Sequence, residues 1–317
     1  MCNIWRIEPT EDPPLEKIES FFKENKSFLR DLKFIQLTGG EPFLRDDLPE
    51  IAKIVNDIAP SCMIWCPTNG LLPEKIAETT AEMLELIGDN RLGVTVSLDG
   101  EGEIHDIQRG IDGSYKKAIE TLRQLNTLKE KHNFMLSTGL TLTKNNYRQA
   151  TMIQKISYQC GADFSFRPIN ISEHYYKNLG ENGELANDVL PYLDAIAYAI
   201  KRERGVLKNL TKIAYIKGAK EFISRKRTMP CSAGDESVFI DTLGDVYPCI
   251  VMNHKIGNIH ERSLSDILQS PSAWEAREII QKLECPTCWL ECEAYRDIKK
   301  DWGKLFDALI WSLMPFS

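Results

Sequence analysis

The sequence predicts an α/β protein: a partial (β/α) barrel with parallel strands, followed by a small α+β unit of hairpin and helices. Three observations predict it. Apolar runs of strand length alternate with helix-length amphipathic patterns through the first half. Several of those strand-like runs end in polar or glycine-containing turns. The alternation then stops, and five of the nine cysteines fall between Cys231 and Cys292.

The strands read, in order, as FIQLTGG (34–40), MIWCPTNG (63–70), LGVTVSLDG (92–100), FMLSTGLTLT (134–143) and ADFSFRPI (162–169). Between them DLPEIAKIVNDIA, PEKIAETTAEMLELI, SYKKAIETLRQLNTLKE and NYRQATMIQKISYQC carry helical periodicity. The strands are apolar enough to be buried on both faces, as a parallel sheet requires. Barrels of this kind place their chemistry at the C-terminal strand ends, and TGGEP, PTNG, SLDG and TKNN stand there. A closed eight-stranded barrel needs roughly 250 residues. Five strands therefore predict an open, TIM-like partial barrel.

Residues 182–228 are helical and rich in Lys and Arg, which predicts a solvated helix pair. SVFIDTLGDVYPC predicts a hairpin turning at LGD. Two short helices follow, one with Ser263 and Asp266 in capping-box positions, one with Pro271 in its first turn. In the tail, Trp302, Leu305, Phe306, Leu309, Ile310 and Leu313 share one helical face, which predicts a terminal helix docked by that face. The expected division is a barrel over 1–175, a helical linker over 176–228, a cysteine-bearing unit over 229–300 and an amphipathic helix over 301–317.

Composition narrows the function. The chain has 317 residues, 43% hydrophobic and 27% charged, with a net charge of −7. No broad basic face is implied, so nucleic acid is not an expected partner. No apolar run is long enough to span a bilayer. The opening MCNIWRIEPTEDPP has no apolar leader core. An odd cysteine count in such a chain argues for a cytoplasmic protein without a disulfide framework.

In Thr38-Gly39-Gly40-Glu41-Pro42, two glycines let a ligand approach the backbone closely. Exposed carbonyls and the Glu41 carboxylate suit a positively charged amino group; a tight turn opening a helix is the plainer alternative. Arg109 offers a fixed fork of donors for a carboxylate, or a surface ion pair. CPTCWLEC, with Cys285, Cys288 and Cys292, has metal-ligand spacing, and an all-cysteine zinc ribbon is one occupant of such a set. Cys62, Cys66 and Cys160 lack ligand spacing and read as small buried hydrophobes. His132, His174, His254 and His260 read as surface or loop residues, and His105 as a candidate general acid.

Taken in order, Cys2-Asn3-Ile4-Trp5, GGEP, Ser97-Leu98-Asp99-Gly100, His105-Asp106 and Arg109-Gly110 resemble the radical S-adenosylmethionine (SAM) superfamily. Its members share a partial barrel whose first loop carries C-x3-C-x2-C, three ligands of a 4Fe–4S cluster. The resemblance implies reductive cleavage of S-adenosylmethionine to a 5′-deoxyadenosyl radical that abstracts a substrate hydrogen. It implies that Cys2 is the third loop cysteine and that Gly39, Gly40 and Glu41 receive the methionine amino group. It implies that Ser97 and Arg109 hold carboxylate and ribose, with Asn69 a weaker candidate. Leu142 is placed beside the adenine or in the core, and His105 orders the loop bearing Arg109.

Cys231, twelve residues, Gly244, four more and Cys249 resemble the opening of the SPASM and Twitch domains, which bind auxiliary iron–sulfur clusters. Cys285, Cys288 and Cys292 would supply the remaining ligands. Four thiolates complete one 4Fe–4S centre, so one auxiliary cluster with a spare cysteine is expected. The substrate is expected to be a small metabolite or a peptide, and the reducing partner a flavodoxin or ferredoxin.

The first two loop cysteines are not in the sequence. The expectation is that the chain starts at a methionine internal to the cluster loop, and that as written it is inactive. A degenerate homologue, or a non-catalytic protein whose zinc ribbon binds a partner, are the alternatives.

Overall fold

The computed structural model describes residues 12–180, 185–225 and 229–313. Two leading helices, α1 (Leu15–Glu24) and α2 (Lys26–Leu29), are followed by five strands and the helices between them. These are β1 (Phe34–Gln36), α3 (Leu48–Ile58), β2 (Met63–Thr68), α4 (Pro73–Ile87) and β3 (Leu92–Ser97). Then come α5 (Glu103–Arg109), α6 (Ser114–Leu128), β4 (Met135–Leu142), α7 (Ala150–Gln159) and β5 (Asp163–Pro168). The five strands pair in parallel in sequence order, forming the half-barrel wall that the alternation predicted.

Register explains why the wall is two-sided. Cys66 pairs with Val94, Val96 with Thr138 and Leu140 with Phe166. Those residues are buried, because this parity faces the helix layer. The opposite parity faces the barrel interior and is more polar. Trp65 Nε1 donates to Thr95 Oγ1 at 2.7 Å, and Thr95 Oγ1 lies 2.7 Å from Ser137 Oγ. A Cβ at Gly93 would stand 2.1 Å from the Trp65 ring, so only glycine admits that indole.

Helices α8 (Leu190–Arg204) and α9 (Leu210–Arg225) differ from the solvated pair that their basic residues suggested. Leu193, Ile196, Ala197 and Ile200 of α8 are buried, as are Ile213, Tyr215 and Ala219 of α9. Lysine and arginine are frequent in these helices but occupy outer positions, and the apolar stripe beneath packs on the barrel. Tyr215 donates its hydroxyl to the Phe166 carbonyl of β5 at 2.9 Å.

The C-terminal unit holds an antiparallel sheet of β6 (Phe239–Ile240), β7 (Asp245–Tyr247) and β8 (Gly257–Asn258). Gly244 takes the hairpin turn at φ 79°. Helices α10 (Leu264–Leu268), α11 (Pro271–Gln281), α12 (Glu291–Lys300) and α13 (Trp302–Leu313) complete it. Ser263 caps α10 by accepting from Asp266 N, and Pro271 stands in the first turn of α11. Asn25, after α1, accepts from Leu264 N at 2.9 Å and joins the two ends of the chain.

The terminal helix docks, but not by the face expected. Trp302, Phe306, Ile310 and Leu313 are exposed, while Ala308 and Ser312 are buried and Leu305 and Trp311 pack beside them. Small residues allow close approach to α9, and the bulky stripe is turned away. Among the described residues no helix is long and apolar enough to cross a membrane.

Candidate active site

The first strand end is built around Glu41. It precedes a single 3-10 turn, Pro42–Leu44, and its Oε1 accepts from Phe43 N at 3.3 Å. Its Oε2 accepts from Asn69 N at 2.7 Å. Burial raises its carboxyl above the usual range, opposed by those hydrogen bonds, by Thr68 and by Arg109. Both Glu41 oxygens are thus engaged in clamping the ends of β1 and β2 together. Asn69 continues that turn, its Oδ1 accepting from Leu71 N at 2.8 Å.

Gly39 and Gly40 behave differently. Neither has positive φ, and a Cβ on either would meet nothing within 4 Å. The backbone conformation does not demand glycine; the missing side chains leave an open frontage. The Gly39 carbonyl accepts from the Tyr175 hydroxyl at 2.8 Å.

The third strand end is organised by Asp99, which is fully buried. Its Oδ1 accepts from Thr141 N at 2.8 Å, and Asn146 Nδ2 donates to the Asp99 and Thr141 carbonyls at 2.8 and 2.9 Å. Its Oδ2 lies 2.8 Å from Arg109 Nε. The two are misaligned, so both atoms are buried without a hydrogen-bond partner. His105 sits between them on α5, fully buried, with Nδ1 accepting from Asp99 N at 3.0 Å. Burial first, then Arg109, pushes its pKa down to about 4. It is a neutral positioning residue and is poorly suited to donate protons near neutrality. Ser97 closes β3 on the half-buried interior parity.

Of the two places expected for Leu142, the core is the one it takes, and it is fully buried there. Thr141 faces the interior, and alternation turns the next residue to the helix layer. His174, expected on the surface or in a loop, lies in a turn and is half-buried, with its ring 4.0 Å from that of Tyr247. Burial lowers its pKa. Cys62 and Cys66 are buried, their thiols pushed by burial up to about 11 and about 12, as inert cysteines should be.

Beside Asp99 and Arg109 lies a cavity of about 60 Å³, lined by Arg109, Thr141, Arg167, Ile169, Asn170 and Tyr176. The sequence reading missed Arg167, Asn170 and Tyr176. A signal for Arg167 was present: in DFSFRP it falls on the polar parity with Ser165.

Beyond β5, the segment 170–178 runs from this cavity to the C-terminal cysteines. Asn170 Oδ1 accepts from Trp289 N at 3.1 Å, and Ser172 Oγ donates to the Val251 carbonyl at 2.9 Å. Cys249 Sγ accepts from Met252 N at 3.4 Å. Burial, with lesser contributions from Glu293 and Cys231, pushes its thiol up to about 12. Cys231 acts electrostatically on Cys249, and Cys249 on Cys292. Cys288 packs with Val251 and Leu290, flanked by Cys249 and Tyr176. Cys285 lies at the edge of the main core. Sulfur donors with a backbone N–H aimed at one of them, in apolar surroundings, match the chemistry of iron–sulfur ligation. Among the described residues, no three Cys, His, Asp or Glu side chains are drawn together as a closed metal site. Cys2 lies outside the described residues.

Comparison with known proteins adds to this geometry. The model of the radical SAM superfamily matches residues 1–150, and that of SPASM, an iron–sulfur cluster-binding domain, matches residues 231–293. The chain is 27% identical to an AdoMet-dependent heme synthase of Methanosarcina barkeri, covering 79% of this chain and 70% of that protein. It is 26% identical to AlbA, an antilisterial bacteriocin subtilosin biosynthesis protein of Bacillus subtilis, covering 84% and 57%. It is 25% identical to a pre-heme d1 synthase of Dinoroseobacter shibae, covering 74% and 61%. The chain thus spans less than two thirds of the last two relatives. In fold it is similar to native anSMEcpe solved with bound AdoMet, with TM-score 0.63 at 16% identity, covering 98% of this chain and 93% of that one.

Proposed function

The chain belongs to the radical SAM superfamily and carries a SPASM-type iron–sulfur domain, and from that premise we propose that it removes a hydrogen atom from a small metabolite or a peptide. When bound, S-adenosylmethionine and a reduced 4Fe–4S cluster supply a 5′-deoxyadenosyl radical for that purpose. The chain's own residues bind, orient and exclude water.

The observation that carries this reading is the open Gly39–Gly40 frontage on the same strand-end face as the buried Asp99–Arg109 pair. The glycines admit a ligand against the backbone. Glu41 keeps that backbone in place by tying it to β2. Arg109, whose Nε lacks an aligned acceptor, is assigned with Ser97 to the carboxylate and ribose of S-adenosylmethionine. The Asn69 amide is assigned to the same pocket. Asp99 and His105 hold Arg109 in position. Cys231, Cys249, Cys288 and Cys292, with Cys285 as the further candidate, are assigned to one auxiliary 4Fe–4S cluster. A flavodoxin or ferredoxin in the cytoplasm is the proposed reductant.

Anaerobically purified protein carrying a complete three-cysteine loop tests this. With dithionite and S-adenosylmethionine it should release methionine and 5′-deoxyadenosine. Arg109→Ala should weaken S-adenosylmethionine binding by about tenfold or more, with iron and sulfide content unchanged. Protein containing zinc but no acid-labile sulfide would sink the reading.

A further inference from the structure

Arg167 is an interior cation that acts on Glu291 and Asp99 only through space, with no contact ion pair among the described residues. It comes from the penultimate position of β5 and lines the cavity beside Arg109 and Tyr176. Arg109 and Arg277 have close neighbours. Arg109 faces Asp99, and Arg277 donates to the Gly234 and Leu268 carbonyls. Among the described residues, no hydrogen bond or ion pair ends on the Arg167 guanidinium, and none of its nitrogens is among the sealed, unsatisfied atoms. Its donors therefore open onto the cavity.

Nearby acids do not reach it as contact ion pairs. Asp99 has one oxygen on Thr141 N and the other against Arg109. Glu291, at the start of α12, acts on it electrostatically but makes no ion pair with it among the described residues. Burial opposes charge on Arg167, but a guanidinium stays protonated in proteins. A guanidinium that faces a cavity without a contact ion pair is costly unless a ligand completes it.

We propose that Arg167 is the substrate anchor, and that the substrate presents a carboxylate to it across the cavity. This deepens the reading above and rests on its placement of the active site. The planar fork suits a two-oxygen acceptor, which a lysine would meet at one point only. Asn170 and Tyr176 add neutral polar contacts at the same wall.

The test measures binding without turnover, in anaerobically purified full-length protein saturated with S-adenosylmethionine. Probes are propionate and propionamide, and an acetylated tripeptide with central Glu or Gln. Each carboxylate should bind about tenfold or more tighter than its amide. Arg167→Gln should erase that preference, and Arg167→Lys should retain part of it. Tighter binding of the Glu tripeptide assigns the carboxylate to a peptide, and tighter binding of propionate to a small metabolite; both sustain the proposal. It is overturned if acid and amide bind alike, or if both variants keep the full preference. It is overturned too if Arg167→Lys or Arg167→Gln loses S-adenosylmethionine binding while the preference persists, since Arg167 would then serve the cofactor. Failure to cleave S-adenosylmethionine counts against the preceding section only, because these affinities need no cleavage.

Discussion

His105 shows how one side chain can settle a choice that spacing left open. EIHDIQRG allows either a general acid or a loop organiser. The hydrogen bond from Asp99 N to Nδ1 decides for the organiser. That role has a pH signature. The ring's ordinary pKa is 6.5, and burial, followed by Arg109, lowers it to about 4. The folded protein therefore prefers the neutral ring, while the unfolded chain protonates first as pH falls. The stability this contributes is complete above 6.5 and is lost progressively toward pH 4, amounting to about 3 kcal/mol. His105→Asn keeps an acceptor near Nδ1 but does not titrate. Urea unfolding from pH 7 to pH 4 should show a shallower loss for His105→Asn than for the wild type; parallel curves would contradict this account.

At the scale of elements, the strand ends make a sharper statement than the strands. Gly39→Ala and Gly40→Ala each place a methyl in open space at ordinary φ. Thermal stability should hold or rise by about 0.5 kcal/mol from reduced unfolded-state entropy. S-adenosylmethionine cleavage should nevertheless fall on the order of 100-fold, as a misplaced ligand loses alignment. Loss of stability in place of activity would make these glycines merely structural. All five barrel strands were legible because two-face burial writes continuous apolar runs, as in LGVTVS. GGEP and SLDG were legible because strand-end chemistry is local in sequence. Arg167 and Tyr176 were not, because their meaning depends on what stands across the cavity. The docking face of α13 was misread for a related reason: helical periodicity reports an apolar stripe, whereas the neighbour selects which stripe it can approach.

For the whole molecule, Trp289 is the keystone between barrel and C-terminal unit. It is 3% exposed, donates Nε1 to the Tyr215 carbonyl at 3.2 Å, and receives the Gly218 backbone where any Cβ would lie 2.2 Å from its ring. Trp289→Ala should cost about 3–5 kcal/mol. Because α9 packs on β5 and carries Trp289 on its other side, barrel and C-terminal unit should unfold together in the wild type. A scan that shows one transition for the wild type and two for Trp289→Ala would agree with this; two for both would refute it. The segment 170–178 adds a metric consequence. It is pinned at Gly39 by Tyr175, at Val251 by Ser172 and at Trp289 by Asn170. With three pins on one short piece of chain, an inserted or deleted residue must release at least one of them. The stretch behaves as a gauge block: its length is held, and with it the gap between the two ends of the molecule.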